Sequence, residues 1–179
     1  MDVAQTQEAM RASDLFSQIL SKALNLHIVN ELSNDQVSVP QALAMRYLWL
    51  HDHVMMGDLA AGLGISYPSA TNMVKRLEKR GLAQRRINPV DRRAVEVQLT
   101  QQGRALAERM ERERVERLAE VLSSMPADDR DGLLRGLRAF VQTAVVTQSG
   151  LAEEICLRCG ALQSDQCPVM ECLHKHGRP

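Results

Sequence analysis

Aromatic residues are scarce in this chain, with two Phe, two Tyr and one Trp among 179 residues, which argues against a site built by stacking large flat ligands. No apolar run approaches the roughly 18 residues that a membrane-spanning helix needs. The opening residues Met-Asp-Val-Ala-Gln-Thr-Gln-Glu lack the basic-then-apolar order of a secretory leader. A cytoplasmic protein with no membrane partner is therefore expected. Net charge is absent too, because 22 basic side chains balance 22 acidic ones, so any electrostatic function must come from local segregation of charge. Cysteine is missing from the first 155 residues. What is present, 45% hydrophobic residues, is enough for one core and an appendage.

The most informative stretch runs from Met56 to Leu99. Leu59, Ala60 and Leu63 recur at helical spacing, and Gly64 supplies the left-handed residue on which a helix can end. Ile65 plugs inward. Ser66 is placed to cap a second helix, with Pro68 in its first turn, that runs to about Arg80 and stops at Gly81. Ala70, Val74 and Leu77 face the core of that helix, leaving Ser69, Thr71, Asn72, Lys75, Arg76 and Lys79 outside. Segments Leu82 to Ile87 and Ala94 to Leu99 read as strands joined by Asn88-Pro-Val-Asp-Arg-Arg93. A helix-turn-helix followed by a hairpin wing is expected. Between Lys75 and Arg93 eight cations face two carboxylates, an excess of +6 that leaves −6 on the rest of the chain. One basic face on an acidic body suits double-stranded DNA. The expected DNA contacts are Ser66, Tyr67, Ser69, Thr71, Asn72, Lys75 and Arg76 on the helix, and Arg92 and Arg93 at the wing.

Three blocks, Asp58-Leu-Ala-Ala-Gly-Leu-Gly-Ile-Ser66, Ala70-Thr-Asn-Met-Val-Lys-Arg-Leu-Glu-Lys-Arg-Gly-Leu82 and Asp91-Arg-Arg-Ala-Val-Glu-Val-Gln-Leu-Thr-Gln-Gln-Gly103, resemble the MarR family of bacterial transcriptional regulators in order and spacing. The resemblance covers about residues 10–148. It implies an obligate homodimer on a roughly palindromic site, usually repressing, whose recognition helices are moved apart or together by a ligand, a metal or oxidation. It also implies that Asp91 orients the wing and that Arg93 enters the minor groove. The family's Ser/Thr cap before the first motif helix is replaced here by Met55 and Met56. The N-terminal sensing cysteine of the peroxide-responsive relatives is absent.

The expected fold is mainly α, an α+β winged helix flanked by long N- and C-terminal helices that form a dimerisation domain. Residues 1–34 supply the N-terminal dimerisation helix, 35–100 the winged helix-turn-helix, 101–150 the C-terminal dimerisation helices and 151–179 a cysteine-rich tail. The first helix, about Gln5 to Leu32, carries a stripe through Leu15, Phe16, Ile19, Leu24 and Ile28, with His27 read as an interface histidine rather than a metal ligand. Ser38-Val-Pro-Gln41 forms a capping box that opens the next helix. His51 and His53 flank Asp52 but point in different directions, which disfavours a shared ion. By family analogy Tyr47, Trp49, His51 and Met55 line a pocket for a small-molecule effector. Thr100 caps a helix with Glu/Arg pairs on its outer face, and another helix follows Pro126.

All four cysteines lie in the tail as Cys156-x2-Cys159-x7-Cys167-x4-Cys172, followed by His174 and His176. Clustered thiols outside an oxidising compartment point to a metal or redox centre. Structural Zn2+ is suggested by Cys156-Leu-Arg-Cys159-Gly, read as a knuckle-like turn. An iron–sulfur cluster is suggested by uneven spacing and by Cys167-Pro168, and it would give the protein a redox sensor. A dithiol oxidoreductase would place Cys156-x2-Cys159 after a strand in a βαβ unit, and no such unit is present. No enzyme activity is expected. A non-regulatory nucleic-acid-binding protein is the remaining alternative.

Overall fold

The computed structural model describes residues 2–33, 37–51, 54–87, 95–148, 150–159 and 167–169, with the backbone alone for Ser33, Ile87 and residues 157–159. The elements in order are α1 (Val3–Ser21), a π-helical segment (Lys22–Leu26), α2 (His27–Ser33), α3 (Val39–Leu50), β1 (Val54–Met55), α4 (Met56–Leu63), α5 (Tyr67–Lys79), β2 (Ala83–Ile87), β3 (Val95–Leu99), α6 (Gln101–Ser123), α7 (Ala127–Thr147) and α8 (Leu151–Cys159). This is a mainly helical winged-helix fold. The helix expected near residues 5–32 is interrupted by the π-helical segment, which changes the residue count per turn and so rotates the stripe. Leu24, Ile28 and Val29 are thereby buried, while Leu15, Ile19 and His27 remain exposed.

The sheet is antiparallel in the order β1-β3-β2. Strand β1, too short to leave a sequence pattern, pairs Val54 with Val97 and Met55 with Glu96. It accounts for Met55 at the start of α4. Met55 has extended backbone and makes no side-chain cap, but strand pairing fixes the chain's entry into the helix where a hydroxyl would otherwise do so. Strand β2 pairs with β3 from Ala83–Leu99 to Ile87–Val95. The core lies between α3, α4, α5 and the sheet, with Ala44, Met45, Leu59, Ala70, Val74 and Leu77 fully excluded from solvent.

Helix α6 is joined closely to the end of α5. Thr100 Oγ1 accepts from Gly103 N at 3.0 Å and donates to the Gly81 carbonyl at 2.6 Å. A Cβ on Gly103 would lie 1.8 Å from the Leu82 carbonyl oxygen, so only glycine allows this approach. Further out, the ends of the chain present apolar side chains to solvent: Met10, Leu15 and Ile19 on α1, Val115 and Val121 on α6, and Leu134 and Phe140 on α7. Among the described residues, no helix is long and apolar enough to cross a membrane.

The tail contains a helix that the sequence reading lacked. Cys156-Leu-Arg-Cys159 is the last turn of α8, not a knuckle-like turn. The helix follows Gly150, whose φ of +83° is one that L side chains rarely adopt. It packs against α4 and α3 and touches α7.

Candidate nucleic-acid interface

Helix α5 is held from its buried side. Ser66 caps it, its Oγ accepting from Ser69 N at 3.3 Å, with proline in the first turn, while Ala70, Val74 and Leu77 are each 0% exposed. The opposite face is therefore fixed in direction. Ser66, Tyr67, Ser69, Asn72, Lys75, Arg76 and Lys79 are exposed and Thr71 is half-buried. The Thr71 hydroxyl donates to the Tyr67 carbonyl at 2.9 Å, so toward an outside group it is left chiefly as an acceptor. The hydroxyls of Ser66 and Ser69 lie 2.9 Å apart. Polar groups thus cluster near the helix N-terminus and cations follow, an order that suits base edges first and phosphates beyond.

Among the described residues three of the eight cations counted in the sequence have structural partners, Arg86 donating through Nε to the Gln98 side-chain oxygen at 2.6 Å. Arg80 Nη1 donates to Gln41 Oε1 at 2.7 Å, and the same oxygen accepts from Ser38 N at 3.0 Å. Buried Gln41 thereby ties the end of α5 to the start of α3. Arg85 pairs with Glu78 at 2.8 Å, and its backbone N–H donates to the same carboxylate. The charge offered to DNA by the described residues is therefore smaller than the sequence excess and concentrated on Lys75, Arg76 and Lys79. Asp91, Arg92 and Arg93 lie outside the described residues.

Of Tyr47, Trp49, His51 and Met55, expected to line a pocket, Tyr47 and His51 pack against each other. Tyr47 is buried, its ring stacks on His51 with centroids 4.1 Å apart, and a Cβ on Gly62 would meet the Tyr47 ring at 2.1 Å. Tyr47 is thus a core residue. Burial first, and then the Asp58 carboxylate, push its phenol above the ordinary value. His51 Nδ1 lies 2.9 Å from the Tyr47 carbonyl, while Nε2 is buried without a hydrogen-bond partner among the described residues. Asp52 and His53 lie outside the described residues.

A small cleft, open to solvent, lies against another face of α3. Leu24, Ile28, Leu43 and Met110 give it apolar walls, and Arg46, Glu111 and Arg114 supply charge. Arg46 Nε and Arg114 Nη1 each reach Glu111 Oε2 at 2.9 Å, whereas Arg114 Nε is buried and unpartnered among the described residues. Burial acts to raise the Glu111 carboxyl, but the two guanidiniums prevail and hold it below the usual glutamate value. Sequence reasoning missed this cluster. The available signal was Arg46 continuing the Val39, Ala42 and Leu43 face of α3.

Comparison with known proteins agrees with the geometry. A family profile described as "MarR family" matches residues 37–95. The HTH-type transcriptional regulator ML2140 of Mycobacterium leprae is 33% identical over 124 residues, 69% of this chain and 85% of that protein. The chain belongs to the MarR family. RV1404 of Mycobacterium tuberculosis superposes with a TM-score of 0.68 at 26% identity, covering 79% of this chain and 94% of that one. FabT of Streptococcus pneumoniae, crystallised in complex with DNA, superposes with a TM-score of 0.66 at 19% identity, covering 78% and 99%.

The MarR match ends before the tail. There Cys156 and Cys167 are half-buried, Cys159 closes α8 three residues after Cys156, and Val169 is 4% exposed. Spacing of three along a helix brings two positions to the same side, which fits a pair of ligands to one ion. Among the described residues no three His, Cys, Asp or Glu side chains form a metal-sized group. The Cys159 side chain, Cys172, His174 and His176 fall outside that description.

Proposed function

We propose that this MarR-family protein is a sequence-specific transcriptional repressor that binds a pseudo-palindromic operator as a homodimer. The observation that carries this reading is α5, whose apolar face is fully buried and whose polar and cationic face is exposed from Ser66 to Lys79. The co-crystallisation of FabT with DNA supports it at the level of the shared fold. The dimer is supported by the exposed apolar residues of α1, α6 and α7, since such side chains at both ends of a chain suit burial against a second copy. Ser66, Tyr67, Ser69, Thr71 and Asn72 read base edges, Lys75 and Arg76 meet phosphates, and Arg92 and Arg93, oriented by Asp91, extend contact to the minor groove.

The signal in this proposal is a thiolate centre formed by Cys156, Cys159, Cys167 and Cys172, holding an iron–sulfur cluster or Zn2+ and acting as a redox or metal sensor. A second reading, a small-molecule effector beside a structural zinc, is favoured by the cleft on α3. The buried, unpartnered Arg114 Nε and the apolar walls fit a small anion with a hydrophobic body.

The test is selection of operator sequences from random duplex DNA, followed by binding of Asn72→Ala. An operator preferred over random DNA by several kcal/mol, with preference in Asn72→Ala relaxed at one base position of each half-site, supports the reading. Equal affinity for all duplexes refutes sequence-specific regulation.

A further inference from the structure

We propose that α8 is a metal-dependent brace on the helix-turn-helix of its own subunit. This inference rests on the thiolate centre proposed above and concerns how that centre acts. Half-buried Leu151, Ala152, Ile155 and Cys156 occupy one face of α8, and the helix packs on α4 and α3. Helix α4 in turn packs on the recognition helix α5, so α8 is one element removed from the DNA-reading side chains. Cys156 lies on the docked stripe, and Cys159 ends the helix.

Nine residues are too few for a stable isolated helix, and the docked stripe is only half-buried. Acidic Glu153 and Glu154 in the first turn favour the helical form through the helix dipole but do not attach it to α4. A cross-link does. When a divalent ion binds Cys156, Cys159, Cys167 and Cys172, the thiols release their protons to solvent as the metal–sulfur bonds form, and the binding free energy becomes folding free energy of the segment that carries them. Buried Val169 lies between the third and fourth of these thiols, so residues 167–169 also meet a packed surface. Metal binding therefore fixes α8 on α4 and reduces the freedom of the helix-turn-helix before DNA arrives. A preorganised reading head binds more tightly.

The experiment uses the full-length protein purified anaerobically, assayed for iron, sulfide and zinc, then stripped of metal and reloaded with Zn2+ alone. Amide hydrogen exchange is followed in α4 and α8, and affinity for the selected operator is measured in parallel. The expected result is slower exchange in both helices with zinc and a tightening of operator binding of about 5- to 150-fold, the range of ordinary allosteric coupling. Ile155→Asp keeps every thiol, so it is expected to bind zinc yet leave exchange in α4 and operator affinity at their metal-free levels. Zinc binding with no change in α4, equal or tighter operator binding by metal-free protein, or a full zinc response in Ile155→Asp overturns the brace while the thiolate centre stands. A protein that takes up neither iron nor zinc overturns both. Loss of operator recognition in every metal state refutes the regulator reading separately, and exchange in α4 still decides the brace.

Discussion

Lys75 offers the most direct quantitative test of the DNA-binding face. Its side chain is exposed and follows fully buried Val74 on α5, so Lys75→Ala opens no cavity, and stability should stay within about 0.5 kcal/mol of the parent. If Lys75 neutralises one phosphate per subunit, the dimer loses two such contacts. The slope of log K against log salt should then become shallower by about 1.8, at about 0.9 per phosphate. Over a fourfold rise in salt, from about 50 to 200 mM, the variant should lose about 12-fold less affinity than the parent. The assay is fluorescence anisotropy of an operator duplex titrated at several potassium chloride concentrations, with a scrambled duplex alongside. Affinity should fall for both duplexes at low salt, because a phosphate contact carries no base information. An unchanged salt slope would show that Lys75 does not meet phosphate and that the orientation assigned to α5 is wrong.

Two further predictions concern the framework behind that face. Gly62→Ala places a methyl group 2.1 Å from the ring of Tyr47, which is itself stacked on His51; overpacking should cost about 1–3 kcal/mol, read as a lowered thermal midpoint, and an unchanged midpoint would mean that the ring has room to move. Glu111→Gln removes the carboxylate shared by Arg46 and Arg114 and should cost about 1–2 kcal/mol at neutral pH, partial exposure reducing what a charged hydrogen bond gives. Because the folded protein holds Glu111 below its ordinary value, its contribution is fully present above about pH 4.3 and is lost as pH falls through the lowered value. Denaturant midpoints measured from neutral pH downward should accordingly fall less steeply in Glu111→Gln, and parallel curves would refute the assignment.

The central motif was legible because each of its boundaries carries its own chemical mark. Gly64 and Gly81, at φ of 65° and 68°, Ser66 as a cap and the Ala70, Val74, Leu77 period all act within a few residues of where they appear. Features that depend on distant partners were not legible. Two residues in β1 leave no alternation to read, and their pairing with Val97 and Glu96 depends on a strand some forty residues away. The π-helical segment changes which residues of the first helical stretch face inward without any local breaker in Lys22-Ala-Leu-Asn-Leu26. Charge was overcounted for the same reason: Arg80 and Arg85 add to the basic excess in sequence, and only the fold brings them to Gln41 and Glu78. In the tail, α8 spans only nine residues, and the apolar period Leu151, Ala152, Ile155 is too short to mark a helix without the surface of α4 and α3 on which it packs.

Helix α3 is where these parts meet. Val39, Ala42, Leu43 and Arg46 line the cleft, while α8 packs on α3 as well as on α4. Near its start, Gln41 receives both Arg80 and the Ser38 backbone, so the end of the recognition helix is fastened to the same element. A side-chain oxygen with two partners cannot follow a shift of α3 without straining or losing one of them, and a buried amide oxygen left with fewer partners is costly. An anion drawn to Arg114 and a metal drawn to the tail thiols would therefore act on DNA binding through one helix, by different faces of it. If both signals bear on α3, linkage requires that each change the affinity for the other by the same factor.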